Sequence, residues 1–273
     1  MPSTYAHYRM GLQVRGMLGD EEKKWMEAYP ELYQIGLHGP DILFYYQPLG
    51  KNPVNQLGYA MHDRPGMDFF TFAAQVLREH PDAPAYWSYV CGYLCHFALD
   101  VCCHDYVDEK IRQSGISHSE IEVEFDRMLL LKDGLNPVSQ RLTHHLHASR
   151  ANGEVIQAFY PSVTAGQAEQ AVRQMIFYCD LLCAPSRLKR GVLFSALKLA
   201  GQYDSIRGMV VNYEPNPGCT DSNQELFDRY QKARTLAAQL IRELPAYVDG
   251  SKAWPERLKY TFGGVMPGKE GTK

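Results

Sequence analysis

One apolar stretch of about thirty residues constrains the fold most, because it carries histidines and an aspartate at regular spacing. Residues 84–113 have the apolar spacing of a single long α-helix and include the segment "GYLCHFALDVCCHDY". His96, Asp100 and His104 stand at four-residue intervals within it. In a helix such residues drift by only about 40° and climb about 6 Å per step. The sequence therefore predicts a largely buried helix with a polar row along one side, and each of those groups needs a partner.

Apolar residues in the rest of the chain have the same helical periodicity, and sequence patterns typical of strands are nearly absent. We predict a single all-α domain over residues 1–263 and a flexible tail over 264–273. Three segments break the rhythm: residues 36–50, 51–65 and 212–223. Capping boxes are expected at Ser117–Glu120 and at Ser222–Glu225. The predicted helices are residues 3–17, 20–35, 66–79, 84–113, 117–132, 137–148, 165–184, 189–201 and 221–245.

Composition argues against several classes of protein. The net charge is −3 and the isoelectric point is about 6.4, so the charge balance does not favour a nucleic-acid partner. The first residues lack the apolar core of a secretory signal, and no run approaches the roughly 18 apolar residues of a membrane span. The seven cysteines form no C-x-x-C pair, so we expect reduced thiols and a cytoplasmic location.

A second polar row follows directly in "SGISHSEIEVEFDR", where His118 and Glu122 are again four residues apart. The short connection favours two antiparallel neighbouring helices, so both rows would look inward together. Imidazole and carboxylate are zinc-type ligands. The rise along the helix keeps one ion from taking the whole first row, but Asp100 could bridge two ions. Asp126, one turn further along, is expected to support a ligating histidine.

Ordinary explanations exist for each isolated piece. A lone histidine on an apolar helix is more often a satisfied core or surface residue than a ligand. Asp41, after Gly39 and Pro40, could cap a turn, and His62 could belong to a loop pair. The cluster His144, His145 and His147 is expected on a solvated helix. Five candidate ligands on two adjoining helices nevertheless favour a metal site.

Several segments in the same order resemble the zinc-dependent phospholipase C family, which is related in fold to the S1/P1 nucleases. The segments are "PSTYAHY", "GPDILFYY", "MH", "CHFALDVCCHDY" and "HSEIEVEFD", and they cover roughly residues 2–130. The resemblance implies an all-helical bundle that holds two or three zinc ions. It assigns Asp41, His62, His96 and Asp100 to one ion, His104, His118 and Glu122 to a second, and His7 with a shared Asp100 to a third.

Two features depart from the secreted members of that family. Their mature chains begin with a tryptophan that completes the third zinc site, whereas this chain begins with "MPST". Three residues separate Asp100 from His104, whereas the secreted enzymes have five at that place. The resemblance therefore leaves open whether two ions or three are bound.

The resemblance implies hydrolysis of a phosphodiester, with a phospholipid or another small phosphodiester as substrate and water activated by the metal. Asp41 is a candidate general base as well as a ligand. The aromatic rings of Phe44, Tyr45 and Tyr46 could wall a headgroup pocket, although aromatic runs are more often core. The open alternatives are a nuclease, an HD-type phosphohydrolase acting through the His-Asp pair of "MHD", and a non-catalytic helical module with structural zinc.

Overall fold

The computed structural model describes residues 4–267, and within that range the chain is all-α, with no strand. This confirms the predicted fold class. Short 3-10 helices cover Gly39–Tyr45, Arg207–Met209, Pro217–Cys219 and Glu256–Lys259. The α-helices are α1 Thr4–Gly16, α2 Asp20–Ala28, α3 Pro30–Gly36, α4 Pro53–His62, α5 Gly66–Glu79, α6 Pro84–Ser114, α7 His118–Lys132, α8 Arg150–Gln157, α9 Ala165–Leu182, α10 Arg187–Leu199, α11 Tyr203–Ile206 and α12 Thr220–Asp249.

The long helix α6 is the centre of the fold, as its apolar sequence predicts. Pro84 opens it at a position where the missing amide has no cost, and Gly115 ends it in the left-handed conformation. Helices α3 and α12 make its most extensive contacts. The backbones of α3 and α6 touch at Gly36 and Gly92, since a Cβ on Gly92 would lie 2.1 Å from the carbonyl oxygen of Tyr33. Two helices approach this closely only where both carry glycine.

Helix α7 starts where the sequence predicts, but only half of the expected capping box is present, since the Glu120 carboxylate accepts from Asn216 at 2.9 Å instead of from the backbone of Ser117. The Ser117 side chain accepts the amide of Glu120 at 3.3 Å and so caps the helix. Only Gly115 to Ser117 separate α6 from α7, and side chains of the two helices meet at His104 and Glu122.

Several predicted helix bounds are wrong for local reasons. The segment 51–65, expected to be irregular, contains α4, because Asn52 and Asn55 form a reciprocal cap at its start. The predicted helix 20–35 is two helices, separated at Tyr29 before Pro30.

The cap expected at Ser222 is also absent, since α12 already begins at Thr220 and Ser222 lies inside it. Helix α8 was not predicted.

The predicted helix over residues 137–148 is wrong, because this stretch consists of turns held by tertiary contacts. Thr143 donates its hydroxyl to Asp180 of α9 at 3.1 Å. His145, expected in solvent, is buried and its ring stacks on Tyr8. Its Nε2 lies 2.8 Å from Nε2 of the equally buried His38, so one imidazole donates to the other.

Backbone hydrogen bonds hold part of the C-terminal segment against the start of α5. The amide of Gly66 donates to the carbonyl of Tyr260 at 2.9 Å, and Thr261 and Val265 close a turn by a 2.9 Å backbone hydrogen bond. Residues 268–273 of the predicted tail lie outside the described residues, and the division of the chain at residue 263 stays a prediction.

All seven cysteines are free thiols, in agreement with the sequence analysis. Burial raises the pKa of Cys95 to about 12, so that sulfur stays protonated. No helix in the described part of the chain is long and apolar enough to cross a bilayer.

The buried histidine pair predicts an acid-sensitive contribution to stability. Burial, together with His144, lowers the pKa of His145 to about 3, whereas an unfolded histidine titrates near about 6.5. The unfolded chain therefore binds more protons between these values, so stability falls as the pH drops through this window, by up to about 1.4 kcal/mol per pH unit. We expect His145→Gln to flatten the pH dependence of the unfolding free energy between about pH 6.5 and 4. Urea unfolding at a series of pH values measures this free energy for the wild type and the variant.

His147→Gln is the matched control, because that side chain is exposed on the same stretch. The expectation fails if both variants keep the wild-type slope.

Candidate metal centre

Three groups of imidazole and carboxylate side chains lie close together around α6. Within each group the candidate ligand atoms are all within 4.8 Å of one another. All the residues that the resemblance assigns to metal fall in these groups. The groups are His7, His96 and Asp100; Asp41, His62 and His96; and His104, His118 and Glu122.

Asp100 connects the groups, because its two oxygens face different histidines. Oδ1 lies 3.3 Å from Nε2 of His7 and 3.8 Å from Nε2 of His104. Oδ2 lies 3.1 Å from Nε2 of His96 and 3.9 Å from Nε2 of His62. A single carboxylate thus stands between imidazoles from three different helices, α1, α4 and α6, which is the arrangement that a bridging ligand requires.

Asp41 and His62 reach the site from the segment that precedes α5. Asp41 lies in the 3-10 helix Gly39–Tyr45, and its Oδ1 is 2.9 Å from Nε2 of His62. The other ring nitrogen of His62 is 2.8 Å from the carbonyl of Gly58, one turn earlier in α4. That contact makes Nδ1 the donor, so the lone pair of Nε2 points towards Asp41 and the site.

His104, His118 and Glu122 form the most accessible group. Oε1 of Glu122 is 3.2 Å from Nε2 of both histidines. The side chain of His118 is 37% exposed, whereas those of the other candidate histidines are at most 19% exposed. The centre therefore opens to solvent on the side of His118 and is otherwise enclosed. A cavity of about 20 Å³, bordered by His7, Asp100 and Glu122, lies between the groups.

His7 is brought to the site by the start of α1. The carboxylate of Asp126, on α7, accepts the backbone amides of Tyr5 at 2.9 Å and Ala6 at 2.8 Å. It thereby binds amides that the first turn of a helix leaves without intrahelical partners. Asp126 was expected to support a histidine through its ring, and these contacts support His7 through the backbone of its helix instead. The rings of His7 and His96 stack at 4.5 Å.

Burial and mutual attraction set the charges of the centre. Burial raises the pKa of Asp100, but the imidazoles of His96 and His104 outweigh it and hold that pKa well below its usual range. The same opposition holds the pKa of Glu122 low, with His118 as the main partner. Both carboxylates are therefore anionic at neutral pH. Burial, with the neighbouring His96, lowers the pKa of His7, which keeps this imidazole neutral.

The donor set fits a divalent cation. Among residues 4–267, several buried atoms of the centre have no hydrogen-bond partner although they face one another: Asp41 Oδ1, His62 Nε2, His96 Nε2, Asp100 Oδ2 and His118 Nε2. A buried polar atom without a partner costs about 1–3 kcal/mol. Nitrogen and carboxylate oxygen are zinc ligands, so bound zinc would satisfy these atoms together.

The aromatic residues after Asp41 have different surroundings. Phe44 is buried, with its ring 5.0 Å from that of His62 and 4.4 Å from that of Tyr59. Tyr45 is buried beside Cys179, and Tyr46 is half-buried. A role of these three residues in binding a headgroup stays a prediction.

Phe262, which no sequence pattern indicated, closes the centre from the C-terminal end of the chain. Its carbonyl lies 3.2 Å from Nδ1 of His104, which leaves Nε2 of that histidine free to act as a ligand. Its ring lies 5.3 Å from that of His62 and 5.8 Å from that of His96. A backbone carbonyl carries no sequence signal, and Phe262 is 140 residues from the last candidate ligand.

The backbone of Gly39 lies directly against His96, a candidate ligand. It has a φ of +47°, and a Cβ there would lie 2.2 Å from Cδ2 of His96. We expect Gly39→Ala to displace His96, lower the zinc content by about one ion per chain and cost more than the ~1–2 kcal/mol of a left-handed alanine. Elemental analysis and thermal unfolding measure both effects.

Gly115→Ala is the control, since that glycine also has a positive φ, of +69°, but an added Cβ has nothing within 4 Å. Equal zinc contents of the two variants would contradict the assignment of His96.

A family of known proteins matches much of the chain. The model of the family described as zinc-dependent phospholipase C matches residues 6–173, a span that contains every candidate ligand. Comparisons with curated proteins and with solved structures return no match. The family match extends over well more than half of the chain, which is also all-helical, as the resemblance implied. The chain belongs to the zinc-dependent phospholipase C family.

Proposed function

We propose that this protein hydrolyses the phosphodiester bond of a phospholipid, with zinc held by the three groups around Asp100. The position of the Asp100 carboxylate between imidazoles of three helices carries the proposal, because a carboxylate there could serve more than one ion, as phosphodiester hydrolysis by paired metals would require. The family supplies the zinc and the substrate class. Bound zinc supplies Lewis acidity, which activates water and offsets charge on a phosphoryl group.

The candidate ligands are assigned to the ions as follows. Asp41, His62, His96 and Asp100 would hold one ion, and His104, His118 and Glu122 would hold a second. His7, together with Asp100, would hold a third. The separation of the Asp100 oxygens towards His7 and His96 supports this division.

Asp41 is the candidate general base. Burial raises its pKa, but the imidazoles of His96 and His62 hold the pKa below its ordinary value, so the carboxylate is ionised and can accept a proton from water. Water then attacks phosphorus, the bond from phosphorus to the diacylglycerol oxygen breaks, and that oxygen takes up a proton. The products are diacylglycerol and a phosphorylated headgroup.

A substrate panel tests the proposal. Phosphatidylcholine, a mononucleotide and single-stranded DNA are incubated with the zinc-loaded protein, and diacylglycerol, phosphate and nucleotides are measured. We expect diacylglycerol release from the phospholipid. Cleavage of DNA alone would favour a nuclease, and no turnover with zinc fully bound would favour a structural role for the metal.

Asp100→Asn tests the central ligand. The amide keeps the size of the side chain but lacks the negative charge that attracts the cations, so we expect the loss of at least one zinc per chain and a more than hundredfold loss of any phosphodiesterase activity. Elemental analysis of the folded variant, with circular dichroism as a check on helix content, measures the first effect without an activity assay.

Asp108→Asn is the control, because this exposed aspartate lies on the same helix two turns later. Full zinc content in Asp100→Asn would argue that Asp100 is not a ligand.

A further inference from the structure

Helix α10 has two apolar faces, and only one of them lies against the protein. Leu193, Phe194 and Leu197 are half-buried on the inner face, where the ring of Phe194 meets that of Tyr203 at 5.4 Å. Arg190 anchors the same face by donating to the carbonyls of Ala184 and Val211. Inner contacts of this kind hold α10 in place.

The outer face of α10 is apolar and open. Leu188 is 79% exposed, Val192 63% and Leu199 91%. With Ser195 they fall within an arc of about 60° on the helix, so they form one stripe along its whole length. No described residue covers this stripe, as the exposure of its members shows. We call these residues the outer stripe.

Cationic side chains border the outer stripe on both sides. Arg187 and Lys198 lie roughly 90–110° to one side of it and Lys189 roughly 90° to the other. Two of these cations also have partners in the protein: Lys189 donates to the carbonyls of Asp180 and Cys183, and Lys198 lies 4.9 Å from the ring centre of Tyr203. The helix holds four basic residues and no acidic residue, although the whole chain has a net charge of −3. An apolar stripe between rows of cations is the pattern of helices that lie in the surface of an anionic bilayer.

We propose that the outer stripe of α10 docks this protein on an anionic phospholipid surface. The leucines and the valine would enter the boundary between headgroups and acyl chains, with Arg187 in contact with the headgroups and the charges of Lys189 and Lys198 close to them. That the docked protein also receives its substrate from this surface rests on the proposed function.

A second copy of the chain fits this face less well than lipid does. A two-fold interface would place the stripe of one chain on the same stripe of the other, and with it the three flanking cations of each helix and no acidic residue of α10. Like charges at such an interface repel, whereas anionic headgroups complement them.

Vesicle flotation tests the docking. The zinc-loaded protein is floated with phosphatidylcholine vesicles that contain phosphatidylserine or lack it, at low and high salt. We expect binding to the anionic vesicles that weakens with salt. Leu188→Asp/Leu199→Asp should lower the partition coefficient roughly a hundredfold, about tenfold for each leucine. Arg187→Gln/Lys198→Gln should reduce the preference for phosphatidylserine.

Leu12→Asp is the matched control, because Leu12 is 42% exposed on α1, a helix remote in sequence from α10, and this variant should float like the wild type. The proposal is overturned if the wild type does not bind anionic vesicles, or if the double aspartate variant binds as well as the wild type. It is also overturned if sedimentation velocity shows a wild-type dimer and a monomeric variant, since a second copy then covers the stripe.

A water-soluble aryl phosphodiester separates docking from chemistry. The double aspartate variant should hydrolyse this monomeric ester at the wild-type rate while it loses turnover on vesicles. If the wild type floats but hydrolyses neither substrate, the docking stands and the proposed function fails.

Discussion

The buried carboxylate of Asp100 is the interaction on which the centre depends. It is 2% exposed and faces imidazoles that originate on α1, α4 and α6. A carboxylate in such a place stays charged only because the positive or polar groups around it outweigh the loss of hydration. Removing any one helix would leave this charge short of partners, so the assembly of the bundle and the assembly of the site are a single requirement.

Most of the supporting contacts act on backbone or on ring orientation. Asp126 holds the first turn of α1, and the carbonyls of Gly58 and Phe262 occupy the outer ring nitrogens of His62 and His104. The two carbonyl contacts fix where the lone pairs of His62 and His104 point before any cation arrives. Ligand affinity depends on such preorganisation, because a free imidazole must otherwise lose rotational freedom on binding.

Features set by helical periodicity could be predicted from the sequence, whereas features set by contacts between distant residues could not. The row His96, Asp100 and His104 was predictable, because helical periodicity alone places it on one side of α6. The confirmed all-α class rests on the same periodicity. The buried state of His145 depends on His38, more than one hundred residues away, and the contact of Phe262 depends on a carbonyl. Neither contact has a pattern that a reading of neighbours along the chain could detect.

The positions of the ligands and of α10 in the chain suggest a division between chemistry and location. Every candidate ligand lies within residues 6–173, the span that matches the family, whereas α10 follows it. A substrate dissolved in water would reach the opening beside His118 by diffusion, and the outer stripe would then serve no purpose. A substrate confined to a bilayer changes this, because an enzyme that stays on the surface meets successive molecules without returning to solution. Since contacts of its inner face already anchor α10, its outer stripe would be available for the surface while α6 keeps the geometry of the candidate centre.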